Sequence, residues 1–110
     1  HFLTILKEGG HGGVLPTPNF DPTTSVKLYE AFKKGNMQEA EKLNGRLLEL
    51  IGVMAYGPHC PVAVIKESMR LLGRQIRPKV RKPLAYLTDS EVSDLQNYLR
   101  EIHLTEKWHF

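Results

Sequence analysis

The sequence predicts a mostly α-helical chain with one short strand. Three observations lead to this fold class. Helix start and stop residues recur along the chain, apolar residues repeat at helical spacing, and only one segment has the composition of a strand. Because a single strand forms no sheet by itself, we expect any partner strands to lie outside these 110 residues.

The first 20 residues predict a helix end followed by the strand. Residues 2–8 have the apolar pattern of an amphipathic helix, and Gly9 and Gly10 end it because glycine adopts the left-handed C-cap without strain. Residues 14–19 are predicted as the strand. Pro16 and Pro18 cannot donate hydrogen bonds to a ladder, so this strand lies at an edge or frays midway.

Two helices are predicted next, one directly after the other. Asp21 is a good N-cap and Pro22 suits the first helical position, where its missing N–H costs nothing. This helix ends at Gly35. Asn36 with Glu39 three residues later is an asparagine version of the capping box, which predicts a second helix at once.

Two further helices complete the predicted elements. Pro61 starts the third and Gly73 ends it, and Thr88 with Glu91 forms a capping box for the fourth. The inward-facing apolar residues predicted for the four helices are Val26, Tyr29 and Phe32, then Ala40, Leu43, Leu47, Leu50, Ile51 and Met54, then Val62, Ile65, Met69 and Leu72, and finally Val92, Leu95, Leu99 and Ile102.

Length, charge and cysteine content exclude several classes of protein. At 110 residues the chain is too short for a complete (β/α)8 barrel, which needs about 250 residues. A single cysteine excludes an intrachain disulfide, and the longest apolar run, residues 61–65, is too short to span a bilayer. The chain has no signal-peptide pattern. It starts at His1 and not at a methionine, so we expect it to be a cut piece of a longer protein.

The positive charge is concentrated in one loop. Residues 74–82 carry five cations and no carboxylate, and without these five charges the net charge of +3 becomes −2. Such a loop either binds an anionic partner or is a solvated connection whose cations pair with helix C-termini and carboxylates. The absence of interleaved aromatic residues favours the second interpretation and makes a nucleic-acid binder the least favoured function.

No residue type forms a catalytic or metal-binding signature by itself. Residues 9–13 are rich in glycine, but a helix rather than a strand precedes them, so a turn with positive φ is favoured over a phosphate loop. Cys60 is expected to be a half-buried, inert thiol, and Lys66 is expected to be structural. The five histidines have no metal-ligand spacing; they are His1, His11, His59, His103 and His109.

Five segments of the chain form a pattern when they are taken in order. They are the glycine-rich turn and strand of residues 9–19 ending at Asn19, the helix end at Gly35-Asn36, the helix with Ala40 and residues 43–50, Lys66 with Leu72-Gly73, and residues 81–84 with Leu87-Thr88. In this order they resemble the C-terminal portion of the dihydrodipicolinate synthase/N-acetylneuraminate lyase family, and the resemblance covers about residues 2–104. The prolines at positions 16 and 18 depart from the small residues usual in the family.

The resemblance implies an α/β fold, with this chain as the last part of a (β/α)8 barrel. Residues 1–35 would end the barrel and residues 36–110 would form a C-terminal helical extension of a single incomplete domain. Family members are tetrameric, metal-independent and cofactor-free lyases or aldolases that act on pyruvate or another 2-oxo acid through a lysine Schiff base.

The same resemblance assigns roles to few of these residues. It places the reactive lysine and an assisting tyrosine upstream of His1, and Lys66 does not match the catalytic position. Only Thr17, Pro18 and Asn19 are expected to line the substrate pocket, because they lie at the C-terminal end of the last barrel strand. We therefore expect an enzyme of the cytoplasm, with no membrane or nucleic-acid partner, and an isolated chain that is inactive. The alternative is a free-standing helical module that binds a partner through its basic loop.

Overall fold

The structure is a computed structural model that describes residues 1–57 and 60–104. In these ranges the elements are α1 (Phe2–Lys7), a 3-10 turn (Thr17–Asn19), α2 (Pro22–Lys33), α3 (Met37–Met54), α4 (Pro61–Leu71) and α5 (Asp89–Glu101). The predicted helices are confirmed. Within the described part of the chain no helix is long and apolar enough to cross a membrane.

The predicted strand at residues 14–19 is wrong for this chain. Residues 10–15 have no regular structure, and residues 17–19 form the 3-10 turn, in which the Phe20 N–H donates to the Thr17 carbonyl at 3.1 Å. The physical reason is twofold. No neighbouring strand is available among the described residues, and Pro16 and Pro18 hold their backbone near the φ of a turn.

The chain divides into two compact units, one comprising His1–Leu50 and one that begins at Ile51. This division does not test the predicted end of the barrel at residue 35, which stays a prediction. In the first unit α1 and the 3-10 turn both pack on α2. Its buried apolar residues are Phe2, Leu3, Leu6, Phe20, Leu28, Ala31, Ala40, Leu47 and Leu50.

The start of α2 is fixed by a buried cap. Asp21 Oδ1 accepts hydrogen bonds from the backbone N–H groups of Thr23 and Thr24, as the sequence predicted for this N-cap. The buried face of α2 differs from the prediction, because Leu28 is inside and Val26 is 55% exposed. Thr24 and Ser25 also occupy buried positions on this helix. Because both are small polar residues, the spacing of apolar residues alone does not reveal which face of α2 is buried.

The second unit is built on the packing of α4 against α5. Its buried apolar residues are Val53, Ala63, Val64, Leu72, Val80, Leu95 and Leu99. Val62 was predicted to face inward, but it is 44% exposed. In α4 the residues buried in the core are Ala63 and Val64. The capping box of α5 is confirmed, since Thr88 Oγ1 accepts from the Glu91 N–H at 3.3 Å and Glu91 Oε1 accepts from the Thr88 N–H.

A close approach between α3 and α5 depends on Gly52. The Tyr98 ring stacks on the Tyr56 ring with centroids 5.5 Å apart, and a Cβ atom on Gly52 would lie 2.7 Å from Tyr98 Oη. Gly45, in the same helix, has no atom within 4 Å of the corresponding position. The two glycines therefore lie in the same helix but differ in the space available for a side chain.

We expect Gly45→Ala to raise the free energy of unfolding by about 0.5–1 kcal/mol, because alanine restricts the unfolded chain and favours the helix. The Gly52→Ala variant is expected to have a lower free energy of unfolding than the Gly45→Ala variant, because Tyr98 must move away from the new methyl group. Urea unfolding of both variants measures the difference. Equal stabilisation by the two substitutions would show that Tyr98 does not pack against Gly52.

Candidate functional site

A hollow of about 320 Å³ opens in the first unit, beside the 3-10 turn. This volume falls in the range of small-molecule sites. The walls come from α1, the glycine-rich link, the 3-10 turn and α2. The lining residues are Phe2, His11, Gly12, Gly13, Leu15, Pro18, Ser25, Val26 and Tyr29.

Glycines hold the link close to α1. Gly9 has φ of 95°, which confirms the prediction of a turn with positive φ, and the Gly10 N–H donates to the Ile5 carbonyl at 2.8 Å. A Cβ on Gly10 would lie 2.8 Å from that carbonyl oxygen, and a Cβ on Gly13 would lie 3.3 Å from the Phe2 ring. Larger side chains at these two positions would push the link away from α1 and change the wall of the hollow.

The three predicted pocket residues have different surroundings. Pro18 is half-buried and lines the hollow. Thr17 is buried, and its carbonyl accepts from the N–H of Asp21 at 2.8 Å, while its Oγ1 has no hydrogen-bond partner among the described residues. Asn19 is exposed and its Nδ2 donates to the Pro16 carbonyl at 2.8 Å. The role of these three residues towards a substrate stays a prediction.

The hollow offers a ligand mainly apolar surface and a few polar side chains. Its walls are mainly apolar, and its polar side chains are His11, Tyr29 and Ser25, whose Oγ is buried with no hydrogen-bond partner among the described residues. The lining contains no lysine and no carboxylate. In the ranges that the structure describes, no three His, Cys, Asp or Glu side chains are grouped to hold a metal ion. The hollow therefore suits an apolar occupant.

The other candidate residues lie in the second unit. Lys66 Nζ donates to the Lys79 carbonyl at 2.7 Å, so this side chain ties α4 to the following loop, in agreement with the predicted structural role. Cys60 is a half-buried free thiol at the N-cap of α4. Of the histidines discussed above, His59 and His109 lie outside the described residues.

Comparison with known proteins gives concordant results. The model of the dihydrodipicolinate synthetase family matches residues 1–102. A 4-hydroxy-tetrahydrodipicolinate synthase of Citrifermentans bemidjiense is 34% identical over 102 residues, which are 93% of this chain and 34% of that protein. A probable 2-dehydro-3-deoxy-D-pentonate aldolase of Escherichia coli, YjhH, is 33% identical over 85 residues, covering 76% of this chain and 28% of the aldolase.

A solved structure is similar to this chain in fold. YagE, a prophage protein of the dihydrodipicolinic acid synthase family from Escherichia coli K12, was crystallised in complex with pyruvate. It matches 94% of this chain with a TM-score of 0.83 and 28% sequence identity, and this match covers 35% of YagE. The chain thus spans about a third of the length of the relatives it matches.

Proposed function

The chain belongs to the dihydrodipicolinate synthetase family, and we propose that it forms the C-terminal portion of a (β/α)8 lyase or aldolase. The substrate of that enzyme is pyruvate or another 2-oxo acid. The observation that carries the proposal is the match of 94% of this chain to the pyruvate-complexed YagE at a TM-score of 0.83. The chain's span of about a third of its relatives supports the same conclusion.

The proposed contribution of residues 1–35 is to close the barrel. Val14 is fully exposed, Ile5 is 50% exposed and Val26 is 55% exposed, although all three are apolar. Strands inside a parallel sheet are covered on both faces. In the intact enzyme Val14 and Leu15, the part of the predicted strand before Pro16, would pair with neighbouring barrel strands, and the rest of the barrel would cover the exposed apolar side chains. Residues 36–110 would then be the helical extension.

The proposed reaction uses a lysine that lies outside this chain. Its neutral amine attacks the ketone carbon of the 2-oxo acid, water leaves, and the resulting iminium draws electrons from the neighbouring carbon during C–C bond formation or cleavage. This chemistry requires neither a metal ion nor an organic cofactor. Thr17, Pro18 and Asn19 would line the pocket without touching the reacting atoms. From the family we further propose a homotetramer in the cytoplasm.

The first test uses the 110-residue chain alone. Incubation with pyruvate and borohydride, which reduces a Schiff base to a stable amine, is expected to leave its intact mass unchanged, because no lysine of the chain occupies the reactive position. A pyruvate-dependent lyase of known mechanism, treated in parallel, controls for the trapping chemistry. An adduct on the isolated chain would overturn the division of roles.

A second measurement separates this proposal from the helical-module alternative. The chain is examined by gel filtration and thermal melting, with and without the preceding part of the barrel produced separately. The proposal expects association with that part and a higher melting temperature in its presence. A monomer whose cooperative melting is unaffected by the added part would favour the module.

A further inference from the structure

The hollow beside the 3-10 turn has apolar walls that the described residues leave uncovered. Val26 lines it from α2 and is 55% exposed, and Leu15 and Tyr29 are only half-buried. Apolar surface of this kind is stabilised when another apolar group removes it from water. With a volume of about 320 Å³, the hollow has room for a small molecule or for side chains of another segment.

Gly12 lines the hollow without a reason that the described residues supply. Its φ lies outside the left-handed range, and a Cβ atom added to it would have no atom within 4 Å. Gly10 differs, since a Cβ there would lie 2.8 Å from the Ile5 carbonyl oxygen. A glycine loses more conformational freedom on folding than any other residue, and it is used where another group approaches the backbone closely. A group from outside these residues that comes close to Gly12 would explain this glycine.

The remainder of the same polypeptide is the occupant best placed to fill the hollow. The chain covers 34% of the Citrifermentans bemidjiense synthase and 35% of YagE, so about two-thirds of each relative lies outside the match. Phe2, at the start of α1, lines the hollow, so any polypeptide that precedes α1 arrives at its edge. Apolar walls also suit apolar side chains better than the carboxylate of a 2-oxo acid, because a buried charge needs a partner.

We propose that in the intact protein apolar side chains from the polypeptide before His1 fill the hollow, and that Gly12 leaves the space they need. This proposal rests on the proposed function, which supplies the preceding part of a barrel. It goes further by assigning the hollow to packing between parts of one polypeptide and not to a dissociable ligand. The side chains that fill it would hold α1, the glycine-rich link and α2 to the rest of the protein.

Thiol accessibility in the intact protein tests whether the hollow is filled. Val26→Cys places a thiol in the wall of the hollow, and the control Lys27→Cys places one at the next position of α2, which is exposed and does not line the hollow. N-ethylmaleimide is expected to alkylate position 26 about a hundredfold more slowly in native buffer than in urea, because a covered thiol reacts only after local opening. Position 27 is expected to react at similar rates in both solutions. Peptide mass mapping separates these positions from Cys60.

A series of substitutions at Gly12 tests the space around it in the intact protein. Gly12→Ala and Gly12→Leu add side chains of increasing size. Gly45→Leu is the matched control, because a Cβ on Gly45 likewise meets no atom within 4 Å. Gly12→Leu is expected to lower the thermal unfolding midpoint by about 5 °C, since overfilling a packed space causes strain, and Gly12→Ala is expected to lower it by less. Gly45→Leu is expected not to lower the midpoint, because leucine favours a helix.

Three outcomes would overturn the filling of the hollow. One is alkylation of Val26→Cys that is as fast in native buffer as in urea, and another is a Gly12→Leu variant as stable as Gly45→Leu. A third is a small apolar molecule that unfolding releases and mass spectrometry identifies, which would make the hollow a ligand site. If Gly12→Leu does not fold, the alkylation rate of Val26→Cys decides.

Borohydride trapping of pyruvate on the same intact protein separates this proposal from the proposed function. Trapping together with rapid alkylation of Val26→Cys would refute the filling of the hollow and leave the proposed function standing. Absence of trapping in the unsubstituted protein would count against the proposed function. Trapping together with slow alkylation at position 26 is the result that both proposals expect.

Discussion

Leu28→Ala is expected to lower the free energy of unfolding by about 2–5 kcal/mol, the largest effect of any single substitution considered for this chain. Leu28 lies on α2 with 0% of its surface exposed, among the core residues of the first unit. The loss combines the transfer free energy of the removed methyl groups with the cavity that they leave. Denaturant unfolding, followed by helical circular dichroism, measures it.

Leu48→Ala is the matched control, because it removes the same atoms from a helix at a position that is 49% exposed. We expect a change below about 1 kcal/mol, since little apolar surface returns to water and no cavity forms. Similar losses for the two variants would mean that α2 does not bury Leu28. The fold of the first unit would then need revision.

Asp21→Ala is expected to lower the free energy of unfolding by about 2–3 kcal/mol. The Asp21 carboxylate accepts two backbone N–H groups at the start of α2, and it also accepts the hydroxyls of Thr23 and Thr24 at 2.9 Å each. An N-cap is worth up to about 2 kcal/mol, and the Thr24 hydroxyl is buried and would lose its partner. Thermal unfolding of the chain measures the combined effect.

Two further variants separate the parts of the Asp21 effect. Asn36→Ala removes an exposed cap, whose Oδ1 accepts only the Glu39 N–H at 3.2 Å, and is expected to cost about 0.5–1 kcal/mol. Asp21→Asn keeps an acceptor for the backbone N–H groups but replaces one carboxylate oxygen by a donor, so an intermediate loss is expected. If Asp21→Ala lowers the free energy of unfolding by no more than Asn36→Ala does, burial adds nothing to the stabilisation by the Asp21 cap.

The helices could be predicted from sequence because their ends are marked chemically. Asp21, Asn36 and Thr88 each accept a backbone N–H at a helix start, and these bonds are local, so a few residues contain all the information. The buried face of α2 was harder to predict. Thr24 and Ser25 occupy buried positions there, and only packing partners distant in sequence decide that Val26 points outward.

The strand and the site depend on partners that local sequence does not contain. Residues 14–19 were predicted as a strand, but they have no neighbouring strand to pair with in the described ranges, and Pro16 leads the chain into the 3-10 turn. Phe2 on α1 and Tyr29 on α2 line the same hollow, an arrangement set by tertiary packing. Gly13 is the signal that could have indicated it, because a Cβ atom there would lie 3.3 Å from the Phe2 ring.

We propose that this chain completes a pyruvate-dependent barrel but does not carry its reactive lysine. The most direct test is borohydride trapping of pyruvate on the intact protein that contains these residues, followed by peptide mass mapping of the modified lysine. We expect one modified lysine, in a peptide outside residues 1–110. Modification of Lys66 or of another lysine within the chain would contradict it, as would an intact protein that pyruvate and borohydride leave unmodified.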